Sequence, residues 1–295
     1  MFKGRLISPY QHEGVEWMVK RENELHHRGG FLCDEMGLGK TVECIATMCR
    51  NVKPRTLIIA PKSVLSQWRD EIQRFSDFTV QLWVDATRTM DINQLMSTDI
   101  VITSYSLVSK RGPLHSVFWN RLILDEAHEI RNPHSKTYLN IMDLKSAIKW
   151  LVTGTPVFNS MRDFVTLCSV IGIPKLVVQA DRARVSSLYV IRRTKQDVSK
   201  HNARLELPKC DFENVELEMY PEEKSLYKFA FEQSLQIIQE TVHTKAENTW
   251  SMIFIECILR MRQVMSWPQL YLDGVHVKDE TPLPERYDGR SAKMD

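Results

Sequence analysis

Eight consecutive residues, Asp34-Glu35-Met36-Gly37-Leu38-Gly39-Lys40-Thr41, combine two glycines, a lysine and a hydroxyl in an order suited to phosphate chemistry. Gly37 and Gly39 let the backbone approach a ligand closely. A helix that starts just after them aims its free N–H groups at an anion. Lys40 then reaches the β- and γ-phosphates, and the Thr41 hydroxyl sits on Mg²⁺. The strict phosphate-loop pattern has glycine where Asp34 stands, so this is a variant of it.

Further along, Asp125-Glu126-Ala127-His128 sets two carboxylates side by side, directly after the apolar run Leu122-Ile123-Leu124. Ligands of open α/β sheets sit beyond the carboxyl ends of the strands, where these acids would lie. Asp125 can hold Mg²⁺ through its water shell. Glu126 can orient and deprotonate an attacking water. Each run alone has a plain reading: a strand-turn-helix connection with an exposed lysine, or a solvated acidic loop. The two in one chain point to ATP and Mg²⁺ as cofactors and to phosphoryl transfer, with Lys40, Asp125 and Glu126 as the catalytic groups.

Such groups need a scaffold, and the apolar pattern supplies one. Short runs at Gly30–Cys33, Thr56–Ala60, Asp99–Thr103, Arg121–Leu124 and Trp150–Val152 read as strands buried on both faces. The stretches between them suit helices. Val42–Cys49 follows the phosphate loop, and Val64–Phe75 carries apolar residues at 64, 65, 68, 72 and 75. Strands alternating with helices predict a parallel α/β sheet. Beyond about residue 175 the texture changes. Asn214–Met219 alternates and predicts one more strand. Pro221-Glu222-Glu223 opens a helix that runs to about His243, and a second spans about Thr249 to Met265. The tail, 273–295, reads as a linker.

With 295 residues, 43% of them hydrophobic and 26% charged, the chain can bury a core without disulfides or structural metals. A net charge of +2 excludes a polybasic tail or an acidic disordered segment, and leaves room for a local basic face. Cysteines at 33, 44, 49, 168, 210 and 257 include no C-x-x-C spacing, so no structural zinc and an intracellular setting with reduced thiols are expected. No apolar run approaches the length of a bilayer span, so no membrane partner is expected.

More motifs surround the two runs. They include Leu6-x-x-Pro9-Tyr10-Gln11-x-x-Gly14-Val15-x-Trp17, Ala60-Pro61-Lys62-Ser63-Val64-Leu65-x-x-Trp68 and Val101-Ile102-Thr103-Ser104-Tyr105. Thr153-Gly154-Thr155-Pro156 with Asn159, Arg192-Arg193-Thr194-Lys195 and Leu259-Arg260-x-Arg262-Gln263 follow. Together they resemble the first lobe of superfamily-two helicase-type ATPases, and within these the Swi/Snf-type DNA translocases.

The resemblance implies a RecA-like ATP-binding lobe, an α/β fold with a parallel sheet flanked by helices, over 1–175. A segment over 176–220 would return a strand to it. A helical protrusion over 221–270 and a linker over 271–295 towards a second lobe would follow. It implies that Gln11 reads the adenine and that Asp34, Glu35, Met36, Gly37, Leu38, Gly39, Lys40 and Thr41 line the nucleotide. Ser63 and Ser104 would meet the DNA backbone, and His128 and Thr155 would couple nucleotide state to DNA. Double-stranded DNA and a second RecA-like lobe are the implied partners, and a nucleus, nucleoid or viral replication site the implied location. Phe158, Glu129 and Trp267 depart from the family's usual residues. Ser291-Ala292-Lys293-Met294 looks like the start of the second lobe, which in the family carries the arginines that complete the ATP site. Residues 1–295 alone are therefore expected to hydrolyse ATP at close to background. Arg192, Arg193 and Lys195 read as a solvated basic face, and Trp17, Trp68 and Trp119 as packing residues. The rivals are a non-catalytic nucleotide- or DNA-binding regulatory module and, less well matched to the motifs, a P-loop kinase.

Overall fold

The computed structural model describes residues 2–6, 8–85, 87–88, 90–108, 110–154, 161–199, 211–242, 247–276, 286–287, 289 and 291–293. The chain divides into two compact units, Met1–Pro208 and Lys209–Asp295.

The first unit runs α1 (Pro9–Glu22), β1 (Gly29–Leu32), α2 (Lys40–Arg50), β2 (Thr56–Ala60), α3 (Leu65–Phe75), β3 (Val80–Leu82), α4 (Ile92–Ser97), β4 (Ile100–Ser104) and α5 (Tyr105–Val108). It continues with β5 (Trp119–Asp125), α6 (Lys136–Asp143), β6 (Ser146–Val152), α7 (Met161–Val170), α8 (Lys175–Ala180), α9 (Arg182–Tyr189), β7 (Val190–Ile191) and α10 (Lys195–Ser199). The seven strands form one sheet in the order β3-β4-β2-β5-β6-β1-β7, and every pairing is parallel.

Two clusters on opposite faces explain why the strands read as continuous apolar runs. Phe31, Leu57, Ile59, Leu122, Leu124 and Leu151 point into one. Their chain neighbours Leu32, Ile58, Ile123, Trp150 and Val152 point into the other. Successive side chains of a strand alternate faces, so a strand covered on both sides must be apolar at every position. The runs named from sequence thus correspond to β1, β2, β4, β5 and β6. β3 had no such signal, because it is three residues long and only half-buried.

The second unit contains α11 (Pro221–Val242), α12 (Glu247–Ser266) and α13 (Pro268–His276). The start of α11 is as expected. The Tyr220 N–H donates to Glu223 Oε2 at 3.1 Å, a reach back across the first turn that satisfies a free donor. Ala230, Val264, Tyr271 and Leu272 form its small core.

Two expectations are corrected here. Asn214–Met219 is not a strand: 211–220 has no helix or strand, and Val215 and Leu217 are exposed. Alternation makes a strand only beside a neighbour to pair with, and none pairs with 214–219 among the described residues. The strand that the 176–220 segment adds to the sheet is instead β7, paired with Phe31 and Leu32. The tail is also less of a linker than expected, since α13 runs to His276. Pro268 takes the first position of a new helix, where its missing N–H costs nothing, and Tyr271 and Leu272 are buried.

One buried ion pair ties the first unit together. Arg121 of β5 donates from Nε and Nη2 to Glu22 Oε1 and Oε2, both at 2.6 Å. Trp150 Nε1 of β6 donates to the same Oε1 at 2.9 Å, and Asn51 Nδ2, beyond α2, to Oε2 at 2.7 Å. Both charged side chains are out of solvent. Removing one partner strands the other charge in the core. Arg121→Ala is therefore expected to destabilise the first unit by about 3–5 kcal/mol. Urea denaturation checks this; a midpoint within error of wild type would refute it.

Candidate functional site

The sheet register sets the site. Leu32 lies opposite Val152, and Val152 opposite Asp125, so β1, β6 and β5 end at one level. β6 stands between the other two, which separates the phosphate loop from the acidic pair by two strand spacings, about 10 Å. Ala60 and Ser104 are paired at the ends of β2 and β4 on the same rim. Residues from five separate stretches of sequence thus meet along the carboxyl ends of one sheet.

The loop between β1 and α2 is held from the α1 side. Tyr10 Oη donates to the Leu38 carbonyl at 2.9 Å, and Gln11 Nε2 to the same oxygen at 3.3 Å. Gly39 is the residue that caps α2, with φ of 86°. A side chain there would be strained by the left-handed backbone and would meet Gln11 Nε2 at 2.6 Å. With no side chain at the cap, the first-turn N–H groups of α2 face outward without an intrahelical acceptor. Lys40 Nζ bridges the loop, donating to the Asp34 carbonyl at 2.7 Å and the Glu35 carbonyl at 3.4 Å. Leu38 is buried, Thr41 half-buried and Met36 68% exposed.

Asp34 departs from its expected place. Its carboxylate is fully buried and faces Arg193 rather than the loop mouth. Arg193 Nε donates to Asp34 Oδ1 at 3.0 Å and Oδ2 at 2.9 Å, and the Arg193 N–H to Oδ1 at 2.9 Å. Its Nη2 also meets Asp34 Oδ2, and donates to Glu43 Oε1 at 2.9 Å and Oε2 at 2.8 Å. Nη1 donates to the Tyr10 carbonyl, and the guanidinium stacks 4.9 Å from the Tyr10 ring. Arg193 is thus not on a solvated face, which corrects the expectation for it. Glu35 is held as well: its Oε2 accepts from the Lys195 N–H at 2.7 Å. Gly14 of α1 is needed because any Cβ there would overlap Glu43 Oε2.

Asp125 ends β5 with both carboxylate oxygens engaged. Oδ2 accepts from Trp68 Nε1 at 2.7 Å and Oδ1 from the Glu126 N–H at 3.0 Å. Tyr105 Oη donates to the Asp125 carbonyl at 2.7 Å. Burial raises the Asp125 carboxyl above its ordinary value, Trp68 opposes the shift and Glu126 adds to it; the charge of Lys40 pulls it down. Glu126 adopts the left-handed region, φ 49°, which is uncommon for a residue with a side chain. Its Oε2 lies 3.1 Å from His128 Nδ1, and both side chains are about a third exposed. Trp68, quoted from sequence in the Ala60–Trp68 motif and read as a packing residue, is indeed buried and in addition donates to Asp125.

Ser63 is exposed in a short 3₁₀ turn after β2. Ser104 is only 4% exposed, and its hydroxyl lies 2.9 Å from that of Ser106. Ser106, two residues further on, is an exposed residue. Thr153 donates its N–H to the Leu32 carbonyl at 3.1 Å, and Gly154 packs beside Met36. Thr155, Pro156, Phe158 and Asn159 lie outside the described residues.

Burial pushes the Glu43 carboxyl up from 4.5 to about 8, against the opposing pull of Arg193. The folded chain then keeps a proton that the unfolded chain has lost, so stability falls as pH rises through that window. Wild type is expected to lose stability relative to Glu43→Gln between pH 5 and 8, by at most about 1.4 kcal/mol per pH unit. Denaturation midpoints across the range decide it; parallel pH profiles for the two proteins would be the contrary result.

The SNF2-related domain family matches residues 10–182. DNA repair protein rad5 of Aspergillus fumigatus is 29% identical over 87% of this chain and 26% of its own length. The ISWI chromatin-remodeling complex ATPase ISW1 of Saccharomyces cerevisiae is 27% identical over 91% of this chain and 26% of its own. Among solved structures, the Sulfolobus solfataricus SWI2/SNF2 ATPase core in complex with dsDNA superposes with a TM-score of 0.59. It is 26% identical and is matched over 91% of this chain and 60% of that one. The chain therefore spans about a quarter of the length of these two relatives. Its fold is the RecA-like one of that ATPase core. With the matched domain covering more than half its length, the chain belongs to the SNF2-related family.

Proposed function

We propose that this chain is the ATP-binding lobe of a DNA-dependent ATPase of helicase type, which couples hydrolysis to movement along double-stranded DNA inside the cell. The observation that carries the reading is the common level of the phosphate loop and the Asp125-Glu126 pair, with the charge of Lys40 reaching Asp125. The free N–H groups at the start of α2, a glycine cap and a lysine at the loop mouth fit a nucleoside triphosphate. Thr41 and Asp125 would hold Mg²⁺, which neutralises charge between the phosphates when bound.

The protein's own groups have simple tasks. The loop N–H groups bind and orient phosphate oxygens, and Lys40 exchanges its carbonyl partners for them. Glu126, kept beside His128 by its left-handed backbone, takes the proton of an attacking water at a carboxylate oxygen. Gln11 supports the loop through Leu38, and the reading assigns it the contact to the base. Transition-state charge in such reactions is commonly met by an arginine from another lobe or protein, worth about 10³–10⁵ in rate. We assign that arginine to a second lobe of the parent protein, so residues 1–295 by themselves bind ATP and turn it over near background.

Glu126→Gln keeps the side-chain volume and removes the base. In the two-lobed parent it is expected to retain ATP affinity and lose turnover by roughly 10²–10⁴-fold. Steady-state hydrolysis with and without duplex DNA measures this. Wild-type turnover in the variant would sink the assignment of Glu126, and a parent that binds nucleotide without any turnover would favour the non-catalytic module.

Duplex binding is expected to rest on phosphate contacts, and so to be insensitive to sequence and steeply salt-dependent. Ser63→Glu puts a negative charge at an exposed position on the rim and is expected to weaken binding to every duplex by a similar factor. Fluorescence anisotropy on two unrelated duplexes over a salt series checks this. A loss confined to one sequence would count against a backbone contact.

A further inference from the structure

Arg193 has no role in the chemistry described above, yet its guanidinium fastens Asp34 of the phosphate loop to Glu43 of α2 and to Tyr10 of α1. It meets both Asp34 oxygens and both Glu43 oxygens. These acids stand on either side of the loop, Asp34 just after β1 and Glu43 in the first turn of α2. The same guanidinium reaches the Tyr10 carbonyl of α1.

The backbone around it reinforces the connection. The Cys33 N–H donates to the Ile191 carbonyl at 2.8 Å and the Glu35 N–H to the Arg193 carbonyl at 2.9 Å. The pairing of β1 with β7 therefore continues past the ends of both strands, through Cys33 and Glu35 of the loop. The Lys195 N–H closes the series on Glu35 Oε2. Asp34 then passes the restraint on, because its carbonyl accepts from Lys40 Nζ.

We propose that Arg193 is the positioning residue of the phosphate loop, setting where Lys40 and the α2 N–H groups stand without touching the nucleotide itself. This rests on the reading that the loop binds ATP. Nε, Nη1 and Nη2 of Arg193 all have partners within the protein, which leaves the group engaged inward rather than free for phosphate. The work needs a planar fork. Two acidic side chains and a carbonyl are held in different directions from one rigid group, which the point charge of a lysine cannot do.

The test compares residues 1–295 as wild type, Arg193→Lys, Arg193→Ala and Lys40→Ala. Each is titrated with a fluorescent ATP analogue and, separately, with a short duplex, and hydrogen exchange is followed at 33–39. Arg193→Lys keeps a buried cation and is expected to remain folded. Its nucleotide affinity should fall about tenfold or more, while its duplex affinity stays within about twofold of wild type. Exchange at 33–39 should rise while the amides of β2 and β4 stay protected. Adding Asp34→Asn to Arg193→Ala should recover stability by removing the stranded carboxylate, and should not recover nucleotide affinity.

Wild-type nucleotide affinity in Arg193→Lys, with Lys40→Ala impaired, overturns the inference and leaves the ATP reading standing. Equal loss of nucleotide and duplex binding, with exchange rising across the whole sheet, also overturns it, since that marks a general role in the fold. An unaffected Lys40→Ala overturns the ATP reading, and the inference with it. If Arg193→Ala fails to fold, Arg193→Lys decides by the same measurements.

Discussion

The buried Glu22–Arg121 pair is the interaction on which the arrangement of the first unit depends. Two unit charges out of solvent are tolerated only when geometry and further donors satisfy them. Here Trp150 and Asn51 supply those donors. Glu22 is the last residue of α1, Arg121 lies in β5 and Trp150 in β6. Any rotation or slide of α1 on the sheet would break several charge-assisted bonds at once. The helix is thereby fixed at its C-terminal end, and its N-terminal end, with Tyr10, Gln11 and Gly14, is presented to the phosphate loop.

A second constraint comes from the sheet itself. In an all-parallel sheet every strand ends on the same side, and short crossover helices return the chain to the opposite edge. Polar and charged groups from distant stretches can then share one rim with no long loops. The loop after β1 and the acids ending β5 differ in stiffness as well as place. The first is braced by Arg193 and Gln11, the second by Trp68, Tyr105 and a left-handed Glu126. Both are held by side chains on neighbouring elements, the stiffness that the proposed phosphate chemistry would call for.

The acids of the Asp34-Glu35 pair illustrate how a motif residue can serve structure. Their side chains face Arg193 and the Lys195 N–H, and their carbonyls face Lys40. A carboxylate buried beside a guanidinium organises a loop as firmly as a glycine frees one. Aspartate can therefore stand where the strict phosphate-loop pattern has glycine: the Asp34 side chain turns inward, towards Arg193.

What the sequence determined by itself is what short-range physics encodes. Continuous apolar runs such as Thr56–Ala60 declared buried strands, and glycines followed by Lys40-Thr41 declared a strand-loop-helix turn. Pro221 with two acids marked the start of α11. The paired motifs were enough to imply an ATPase lobe, and the family match agrees. Tertiary structure alone decided the partners. Asp34 and Arg193 are 159 residues apart, and no local pattern distinguishes a buried clamp from a solvated basic cluster. The burial of Ser104, the bond from Trp68 to Asp125, the absence of a strand at Asn214–Met219 and the helix after Pro268 were decided the same way. Periodicity reports the face a residue turns to its own element. Which atoms meet it there depends on how the elements pack, and that is set by contacts between residues far apart in the chain.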